Sequence, residues 1–461
     1  MRALRKFVAV IALAFGVFAL GASANKDKYV TNYILQSPSL AQAQAACQTY
    51  GFTIVSTIHA PDTYLVQLSS AVPSNVLQQW VKGDSNVTHL QVSNIITDDD
   101  QLNISTYIPT LPSTQYATGT LSQLYGTTAW VGYAQQPAIF QTNGNSIIKP
   151  NASGQGIIAI IDTGVDPTNS LLAPVLVPGY DFTRNVPGGS ELGDVDQSTA
   201  RILFQSTARI LFGYQAVPLN SSTVAILDSG TASALQSQNI PNDFGHGTMV
   251  AGLVHLVAPT AQIMPLKAFN ADGTAQESDV IEAIYYAADH GATVINMSFG
   301  FPQISEEMMK AINYATAKGI VCVAAAGNEG QDSLTYPAAF GNVIGVASVG
   351  QQDQPSSFTN YGADLVKVAA PGEGLVTTYP GNHYAVVWGT SFSAALVSGA
   401  VDILGQTVNK NISSQLSEAD FARALEHADT CVTDGSLGGG CLDLKTATQF
   451  IKSMNMQAPA Q

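Results

Sequence analysis

Four polar residues stand at the ends of apolar runs, and their chemical types could together perform nucleophilic catalysis. Asp162 ends the run "IIAIID", and His246 stands between two glycines in "NDFGHGTMVAGLV". Asn328 follows the small residues of "AAAGN", and Ser391 opens the apolar stretch "SFSAALVSGAVDIL". An aspartate can orient a histidine base, an amide can donate to an oxyanion, and a serine can attack a carbonyl carbon.

Each of these residues also has a structural interpretation when it is taken alone. Asp162 could cap the turn that follows it, a single histidine such as His246 is more often structural, and Asn328 beside a glycine is equally typical of a turn. Together they indicate more, because Asp, then His, then Ser is one of the chain orders in which catalytic triads occur. The pentapeptide G-x-S-x-G of another hydrolase arrangement does not occur in the sequence.

Two serines compete for the role of nucleophile. Ser391 and Ser393 are two positions apart at the start of a predicted helix, so they do not share a face and one histidine cannot serve both. Ser391 lies nearer to the unpaired N–H groups and the positive end of that helix, which favour negative charge on an attacked carbonyl oxygen. We therefore predict Ser391 as the nucleophile and Ser393 as a packing or hydrogen-bonding residue.

The segments that must position these residues alternate between short apolar runs and helical stretches. From about residue 150, runs such as "GIIAIID", "ATVINMSFG" and "IVCVAAAGN" alternate with helical stretches such as "ESDVIEAIYYAADHG". This alternation predicts an α/β fold, with a parallel sheet covered by helices on both faces. Ligands bind at the carboxyl ends of the strands in such sheets, where the candidate residues stand.

The N-terminal part divides into three further segments. Residues 1–24 combine a basic start, an apolar run and small residues before the cleavage point, which is typical of a secretory signal peptide. Residues 25–96 follow the order β-α-β-β-α-β of a ferredoxin-like α+β fold. Residues 97–126 are polar, and their apolar residues show no regular spacing, so we expect a linker or processing region before a domain at 127–461.

The motifs resemble those of subtilisin-like serine proteases, the subtilase family. "DTGVD", "GHGT", "VINMSFG", "AAAGN" and "GTSFSA" occur in the family's order between about residues 127 and 450. The resemblance implies that Asp162, His246 and Ser391 form a catalytic triad and that Asn328 is the oxyanion donor. It also implies proteins or peptides as substrates, and no required cofactor or catalytic metal.

The resemblance also places the substrate. Peptide would bind as an added β-strand between two segments, Gly273, Thr274 and Ala275 on one side and Ser298, Phe299 and Gly300 on the other. The walls of the primary pocket would come from Ser298–Gly300, from Ala325, Ala326 and Gly327, and from the region around Tyr336–Ala338. These walls are small or apolar, so a bulky apolar side chain is the expected preference at the cleavage site. Residues 25–96 resemble the family's inhibitor-like propeptide, which implies a self-processed zymogen.

Several features depart from the family pattern. Ala395 stands where a proline is usual, four residues after Ser391, and we expect this to tune activity. The loop of the tight calcium site is missing after His246, although the acidic stretch 191–196 leaves room for a weak calcium site. An insertion at about 185–240 contains the octad duplication "QSTARILFQSTARILF" at 197–212. We interpret it as a tolerated surface duplication, with a binding hairpin as the alternative.

Composition limits the partners. The net charge of −15 argues against nucleic acid and anionic membrane surfaces, and 46% hydrophobic residues allow a sizeable core. We expect a secreted monomer, extracellular or periplasmic. Cys431 and Cys441 flank a glycine-rich loop that a disulfide could close, whereas Cys322 lies in an apolar run.

Two other functions fit the same residues. A catalytically silent relative could bind peptides in the same cleft, and a triad could also act on esters that are not peptides. A protease should cleave long peptides far better than small esters of equal reactivity, so a substrate panel separates these alternatives.

Overall fold

The computed structural model describes most of the chain. Its described residues are 31–69, 72–97, 121–124, 127–148, 154–195, 217–218, 224–226, 240–407, 418–426, 431 and 435–457. The predicted signal peptide at 1–24, most of the predicted linker and the octad duplication at 197–212 lie outside the described residues.

Residues 31–97, here called the N-terminal unit, form a small antiparallel sheet with two helices. The sheet order is β2-β3-β1-β4, and side chains such as Tyr33, Phe52 and Leu77 form its own apolar cluster. The elements follow the order β-α-β-β-α-β before a last short strand. They are β1 (Thr31–Gln36), α1 (Leu40–Tyr50), β2 (Thr53–His59), β3 (Thr63–Leu68), α2 (Ser74–Val81), β4 (His89–Val92) and β5 (Ile95–Thr97).

The described residues from 121 to 457, here called the large unit, contain the remaining strands. They are β6 (Leu121–Leu124), β7 (Thr127–Trp130), β8 (Ile157–Asp162), β9 (Tyr180–Asp181), β10 (Val186–Pro187), β11 (Val217–Pro218), β12 (Val224–Ile226), β13 (Gln262–Lys267), β14 (Thr274–Gln276), β15 (Val294–Met297), β16 (Val321–Ala325), β17 (Ile344–Val349), β18 (Val368–Pro371), β19 (Leu375–Tyr379) and β20 (His383–Val387).

The helices of the large unit lie between these strands and after them. They are α3 (Val131–Ala134), α4 (Pro137–Gln141), α5 (Gly144–Ile147), α6 (His246–Val257), α7 (Glu277–Asp289), α8 (Glu306–Ala317), α9 (Thr390–Thr407), α10 (Glu418–Glu426) and α11 (Leu444–Gln457). None of the helices in the described part of the chain is long and apolar enough to cross a bilayer.

The apolar runs form one eight-stranded sheet in the order β10-β9-β13-β8-β15-β16-β17-β18. All neighbouring pairs are parallel except β10 with β9. Alternate residues of β8 face opposite sides: Ile158 and Ile160 pack with α6 and α9, whereas Ala159 and Ile161 pack with α7 and α8. The predicted α/β fold, with helices on both faces of a mostly parallel sheet, is confirmed.

The predicted linker and the predicted insertion both contain strands among their described residues. The predicted linker is structured at both ends, because Thr97 completes β5 and residues 121–124 form a hairpin with β7. Within the insertion, β11 and β12 join β20 and β19 in a four-stranded antiparallel sheet. The pairings of β5 with β14 and of β12 with β20 link segments that are far apart in sequence, so local composition did not reveal them.

The cysteines divide into a bonded pair and two thiols. Cys431 and Cys441 form a disulfide that closes the loop after α10, and Cys441 makes a β-bridge with Ala369 in the strand β18. Cys47 and Cys322 are buried and take no part in this disulfide.

Candidate active site

Asp162 and His246 meet at the carboxyl edge of the sheet. Asp162 is the last residue of β8, His246 is the first of α6, and 2.8 Å separates the aspartate Oδ1 from the histidine Nδ1. Both side chains are buried, at 3% and 2% exposure. The Thr163 N–H also donates to Asp162 Oδ1, at 2.7 Å. The carboxylate is thus held in place by the backbone that follows it while it contacts the imidazole.

The glycines beside His246 are required by the closeness of the packing. Gly245 has a φ of 93°, and a Cβ there would lie 2.7 Å from a ring carbon of Tyr379. A Cβ on Gly247 would lie 2.0 Å from the carbonyl oxygen of Gly164, in the turn after Asp162. Only residues without a Cβ let the start of α6 approach the end of β8 this closely.

The structure separates the two candidate serines. Ser391, in the first turn of α9, donates its hydroxyl to the carbonyl oxygen of Ser298 at 3.1 Å. The His246 ring lies 5.4 Å from that of Phe392, the next residue, so the imidazole and the start of α9 share one pocket. Ser393 instead donates to the carbonyl oxygens of Ala370 and Pro371 in β18. These two hydrogen bonds hold the Ser393 side chain against the strand β18.

The helix α9 keeps its full length without a proline near its start. Ala395 is completely buried within it, among the apolar side chains that pack against the sheet. The structure therefore accommodates alanine at this position by packing alone.

Asn328 is fixed beside the start of α9. Its Oδ1 accepts hydrogen bonds from the backbone N–H of Thr390 at 2.9 Å and from the Thr390 hydroxyl at 3.1 Å. The same hydroxyl accepts from the N–H of Gly327 at 3.1 Å. Because two donors hold Oδ1, the Nδ2 half of the amide is the part that can donate, next to the residue that precedes Ser391.

A buried hydrogen-bond chain supports the nucleophile's backbone. Ser298 donates its hydroxyl to the carbonyl oxygen of Ser391 at 2.8 Å and accepts from Asn296 Nδ2 at 2.8 Å. Ser398, on α9, donates to Asn296 Oδ1 at 2.8 Å. The strand β15 and the helix α9 are therefore joined at the point where Ser391 stands.

The expected peptide-binding edge is occupied by the chain itself. The strand, expected at Gly273–Ala275, runs from Thr274 to Gln276 and pairs antiparallel with β5 of the N-terminal unit. Ala275 lies opposite Ile96, which is buried in one apolar cluster with Phe299. An open cleft of about 270 Å³ continues along this edge. Its lining residues are Asn94, Ile95, Ile96, Glu277, Gly300, Phe301, Pro302, Gln303, Ile304 and Ser305.

The other segments that were expected to form the walls of the primary pocket lie near this cleft. Phe301 and Tyr336 exchange two backbone hydrogen bonds of 2.9 Å, so the region 336–338 lies beside the segment that follows Gly300. A Cβ on Gly300 would lie 2.3 Å from Thr335 Cγ2, which explains the glycine. Ala325 ends the strand β16, and Ala326 and Gly327 connect it to Asn328.

Glu191 is a residue of this site that the sequence did not identify. Its side chain is completely buried, and it accepts hydrogen bonds from the Thr163 hydroxyl at 3.2 Å, from the Gly245 N–H at 3.0 Å and from the Thr248 hydroxyl. Thr163 follows Asp162, and Gly245 precedes His246. One carboxyl group therefore joins the two segments that carry the aspartate and the histidine.

The two threonines extend this link. The Thr163 hydroxyl accepts from the N–H of Gly247 at 3.0 Å, and the Thr248 hydroxyl accepts from the N–H of Asp166 at 2.7 Å. Burial raises the pKa of the Glu191 carboxyl to about 8, while the hydrogen bond from Thr248 opposes the shift. An acidic residue with polar neighbours in the sequence usually indicates a solvated loop, so only the contacts reveal this role.

The expected weak calcium site in 191–196 finds no support among the described residues. Glu191 is committed to the contacts above, and Asp194 pairs with Arg184 and, at 2.6 Å, with Lys267 Nζ. Asp196 lies outside the described residues. No group of three or more potential metal-ligating side chains occurs in the described part of the chain.

The buried lysine completes the support of this loop. Lys267 Nζ donates to the carbonyl oxygens of Thr163 at 2.8 Å and Phe269 at 2.6 Å, besides its pairing with Asp194. Burial lowers the pKa of its ammonium group to about 8. Its backbone is the register partner of Asp162 in the neighbouring strand, so it holds the turn after the aspartate.

Comparison with known proteins agrees with this architecture. The model of the subtilase family matches residues 154–441. The chain is 35% identical over 285 residues to a thermophilic serine proteinase of Bacillus sp. (strain AK1), covering 62% of this chain and 60% of that protein. It is 35% identical over 254 residues to thermitase of Thermoactinomyces vulgaris, covering 55% and 76%. It is also 35% identical over 215 residues to subtilisin BL of Lederbergia lenta, covering 44% and 78%.

The family match covers more than half of the chain, so the chain belongs to the subtilase family. The chain spans about 60% of the length of the Bacillus proteinase that it matches.

Proposed function

We propose that the protein hydrolyses peptide bonds through an acyl-enzyme formed on Ser391. The observation that supports this most strongly is the buried contact of 2.8 Å between His246 Nδ1 and Asp162 Oδ1. A proton held on Nδ1 by the carboxylate leaves Nε2 as the basic nitrogen. His246 then takes the proton of the Ser391 hydroxyl as the oxygen attacks the scissile carbonyl, and Asp162 stabilises the imidazolium.

The negative charge of the tetrahedral intermediate needs donors at the start of α9. Asn328 Nδ2 and the backbone N–H of Ser391 supply them, helped by the positive end of the 18-residue helix. His246 next gives its proton to the leaving amine. Water then attacks the acyl-enzyme with His246 again as the base, and His246 returns the proton to the Ser391 oxygen as the acid product leaves. No metal or cofactor enters these steps.

Peptides and unfolded protein segments are the proposed substrates. The support is the strand β5, which adds to β14 in three antiparallel register pairs and buries Ile96 beside Phe299. A substrate strand can use the same backbone donors and acceptors, which is the usual way in which an extended peptide adds to a sheet edge.

The N-terminal unit is proposed to be an inhibitory propeptide in a self-processed, secreted zymogen. Its strand β5 covers the edge that substrate needs, and its sheet meets α7 and α8 through the apolar side chains of Ile34 and Ile58 and through polar residues. One example is the hydrogen bond of 2.5 Å from Gln36 to Glu307. Because residues up to Thr97 lie in this strand, the processing bond lies C-terminal to Thr97. Secretion rests on the predicted signal peptide at 1–24.

The decisive experiment compares the two neighbouring serines. Ser391→Ala should lower kcat/KM for an unfolded protein substrate by about 10⁴-fold or more, because the nucleophile is lost. Ser393→Ala is the matched control, since its hydroxyl bonds only to β18, and it should keep activity within about tenfold. Equal activity in Ser391→Ala and wild type would refute the mechanism. Faster cleavage of small esters than of long peptides would instead favour the esterase alternative.

A further inference from the structure

Glu277 is a buried acid at the end of the peptide-binding edge, and nothing in the proposed mechanism uses it. It is the first residue of α7, directly after β14, and is 2% exposed. Its Oε1 accepts from Gln91 Nε2 at 3.0 Å. Its Oε2 accepts from both the backbone N–H and the side-chain Nδ2 of Asn94, each at 3.2 Å. All of these donors belong to the N-terminal unit.

The backbone of Glu277 extends the strand pairing by one step. Its N–H donates to the carbonyl oxygen of Asn94 at 2.9 Å, next to the register pair of Ile95 with Gln276. Asn94 therefore occupies the next position of the same extended strand that carries Ile96 into the cleft. A substrate that lies along β14 as β5 does places one of its own residues beside the Glu277 carboxylate.

Removal of the N-terminal unit takes these three donors away. The exposure of 2% holds with that unit in place, so its removal opens the carboxylate to water, and a peptide strand that covers Glu277 again must replace this water with its own hydrogen-bond donors. A side chain with N–H groups restores them, a hydrocarbon side chain does not, and a second carboxylate adds repulsion. Ile95, by contrast, is 68% exposed, so the enzyme should not select the side chain that a substrate places at the position of Ile95.

We propose that Glu277 forms an extended substrate subsite that selects a hydrogen-bond-donating side chain, Asn, Gln, Lys or Arg, at the position that Asn94 occupies. This position lies three residues N-terminal to the residue opposite Thr274. The inference rests on the proposed function, because it takes β5 as a stand-in for substrate. It adds a preference for substrates with a polar or basic residue upstream of the apolar residue held at the position of Ile96.

The test uses labelled peptides of residues 91–97 and the processed enzyme recovered from expression of the full chain. One series carries Asn94→Arg, Asn94→Leu or Asn94→Asp, and a control series carries the same changes at Ile95. Affinity is measured by fluorescence anisotropy, which does not require turnover, and hydrolysis of an unrelated peptide is measured in parallel. A loss of hydrolysis with an unchanged pattern of affinities would count against the catalytic proposal only.

In the wild-type enzyme, the Asn94→Leu peptide should bind about tenfold more weakly than the parent peptide, and the Asn94→Asp peptide more weakly still. The Asn94→Arg peptide should bind at least as well as the parent. The Ile95 series should vary by less than about threefold.

Enzyme variants assign the effect to one side chain. Glu277→Leu should bring the affinities for the parent and Asn94→Leu peptides within about twofold, and Glu277→Gln should remove the advantage of arginine. Glu307→Gln is the matched control: Glu307 is another buried acid at the interface with the N-terminal unit, bonded to Gln36 and not to residues 94–97. It should leave the pattern unchanged. Equal affinities for the Asn94 series in wild type, or the same discrimination in Glu277→Leu, would overturn the proposal.

Discussion

The N-terminal unit and the large unit bury their side chains in different ways. The large unit covers its parallel sheet on both faces, and its strands are completely buried over most of their length. The N-terminal unit has a small apolar cluster of its own, and it meets the large unit through polar groups and through a few buried apolar side chains. His89, for example, lies 3.6 Å from both Glu306 and Glu307. A unit joined in this way can leave without opening the core of its partner.

The apolar part of the contact between the two units includes Ile34 of β1, Ile58 of β2 and Ile96 of β5, which lie in one cluster with side chains of the large unit. Ile96 enters the cleft, and His59 stacks on Tyr285 at 4.0 Å while lying 3.4 Å from Asp289. Charged and polar groups at such an interface return to water at little cost when the units separate. Separation of the two units breaks these polar and apolar contacts, whereas the contact between Asp162 and His246 lies inside the large unit.

The largest expected effect comes from breaking the catalytic pair within the large unit. Asp162→Asn should lower kcat by about 10⁴-fold, because an amide in this place favours the wrong histidine tautomer. The N-terminal unit should remain docked, since none of its contacts involves this residue. Steady-state kinetics on a peptide substrate measures the loss, and a decrease of less than tenfold would contradict the role given to Asp162.

Removal of the oxyanion donor should have the next largest effect. Asn328→Ala should lower kcat by about 10²–10³-fold with little change in KM, because the donor acts on the charge that develops in the transition state. An equal rise in KM with unchanged kcat would show that Asn328 binds substrate and does not stabilise the oxyanion.

A smaller side chain in the strand β5 tests the contact between the two units. Ile96→Ala should weaken inhibition of the processed enzyme by its cleaved N-terminal unit by about 10- to 100-fold, because a buried side chain is truncated. Ile95→Ala is the control, since that side chain is mostly exposed, and should change inhibition by less than about threefold. The inhibition constant in a peptide assay measures both. Similar constants for the two variants would refute the placement of Ile96 in the cleft.

The smallest effect at neutral pH is expected at Glu191. Its three acceptor contacts are complete only when the carboxyl is ionised, and its pKa is raised to about 8 by burial. Glu191→Gln should therefore lower kcat by about tenfold or less at pH 7, and the ratio of wild-type to variant kcat should grow as the pH passes 8. A ratio that stays constant from pH 6 to 10 would contradict a positioning role.

The raised pKa of the Glu191 carboxyl predicts that the free energy of unfolding depends on pH. Between pH 4.5 and about 8 the folded chain keeps a proton on Glu191 that the unfolded chain has lost, so the free energy of unfolding falls as pH rises through this range. Glu191→Gln should flatten this slope. Denaturant unfolding of both forms in a Ser391→Ala background, which prevents self-digestion, measures the difference, and identical slopes would refute the assignment.

The features that depend on local sequence pattern could be predicted from the sequence. Apolar runs and helical stretches gave the parallel sheet, and Asp162, His246 and Asn328 could be placed at strand or helix ends because each follows or opens a recognisable run. Helix geometry predicted different roles for Ser391 and Ser393, and their hydroxyl groups have different hydrogen-bond partners in the structure.

Contacts between distant segments could not be read in the same way. Glu191 stands in an acidic stretch of ordinary appearance, and its partner Thr248 is 57 positions away. Glu277 is one of several acids in amphipathic helices until Asn94, 183 positions earlier, is placed against it. The pairing of β5 with β14 likewise joins segments whose short, irregular composition carries little strand signal.

The intact mass of the secreted chain, measured for wild type and Ser391→Ala, decides whether Ser391 carries out self-processing. The wild type should lose at least residues 25–97 beyond the signal peptide, while Ser391→Ala should retain them and Ser393→Ala should behave as the wild type. Retention of these residues in the wild type, or their loss in both the wild type and Ser391→Ala, would contradict self-processing by Ser391.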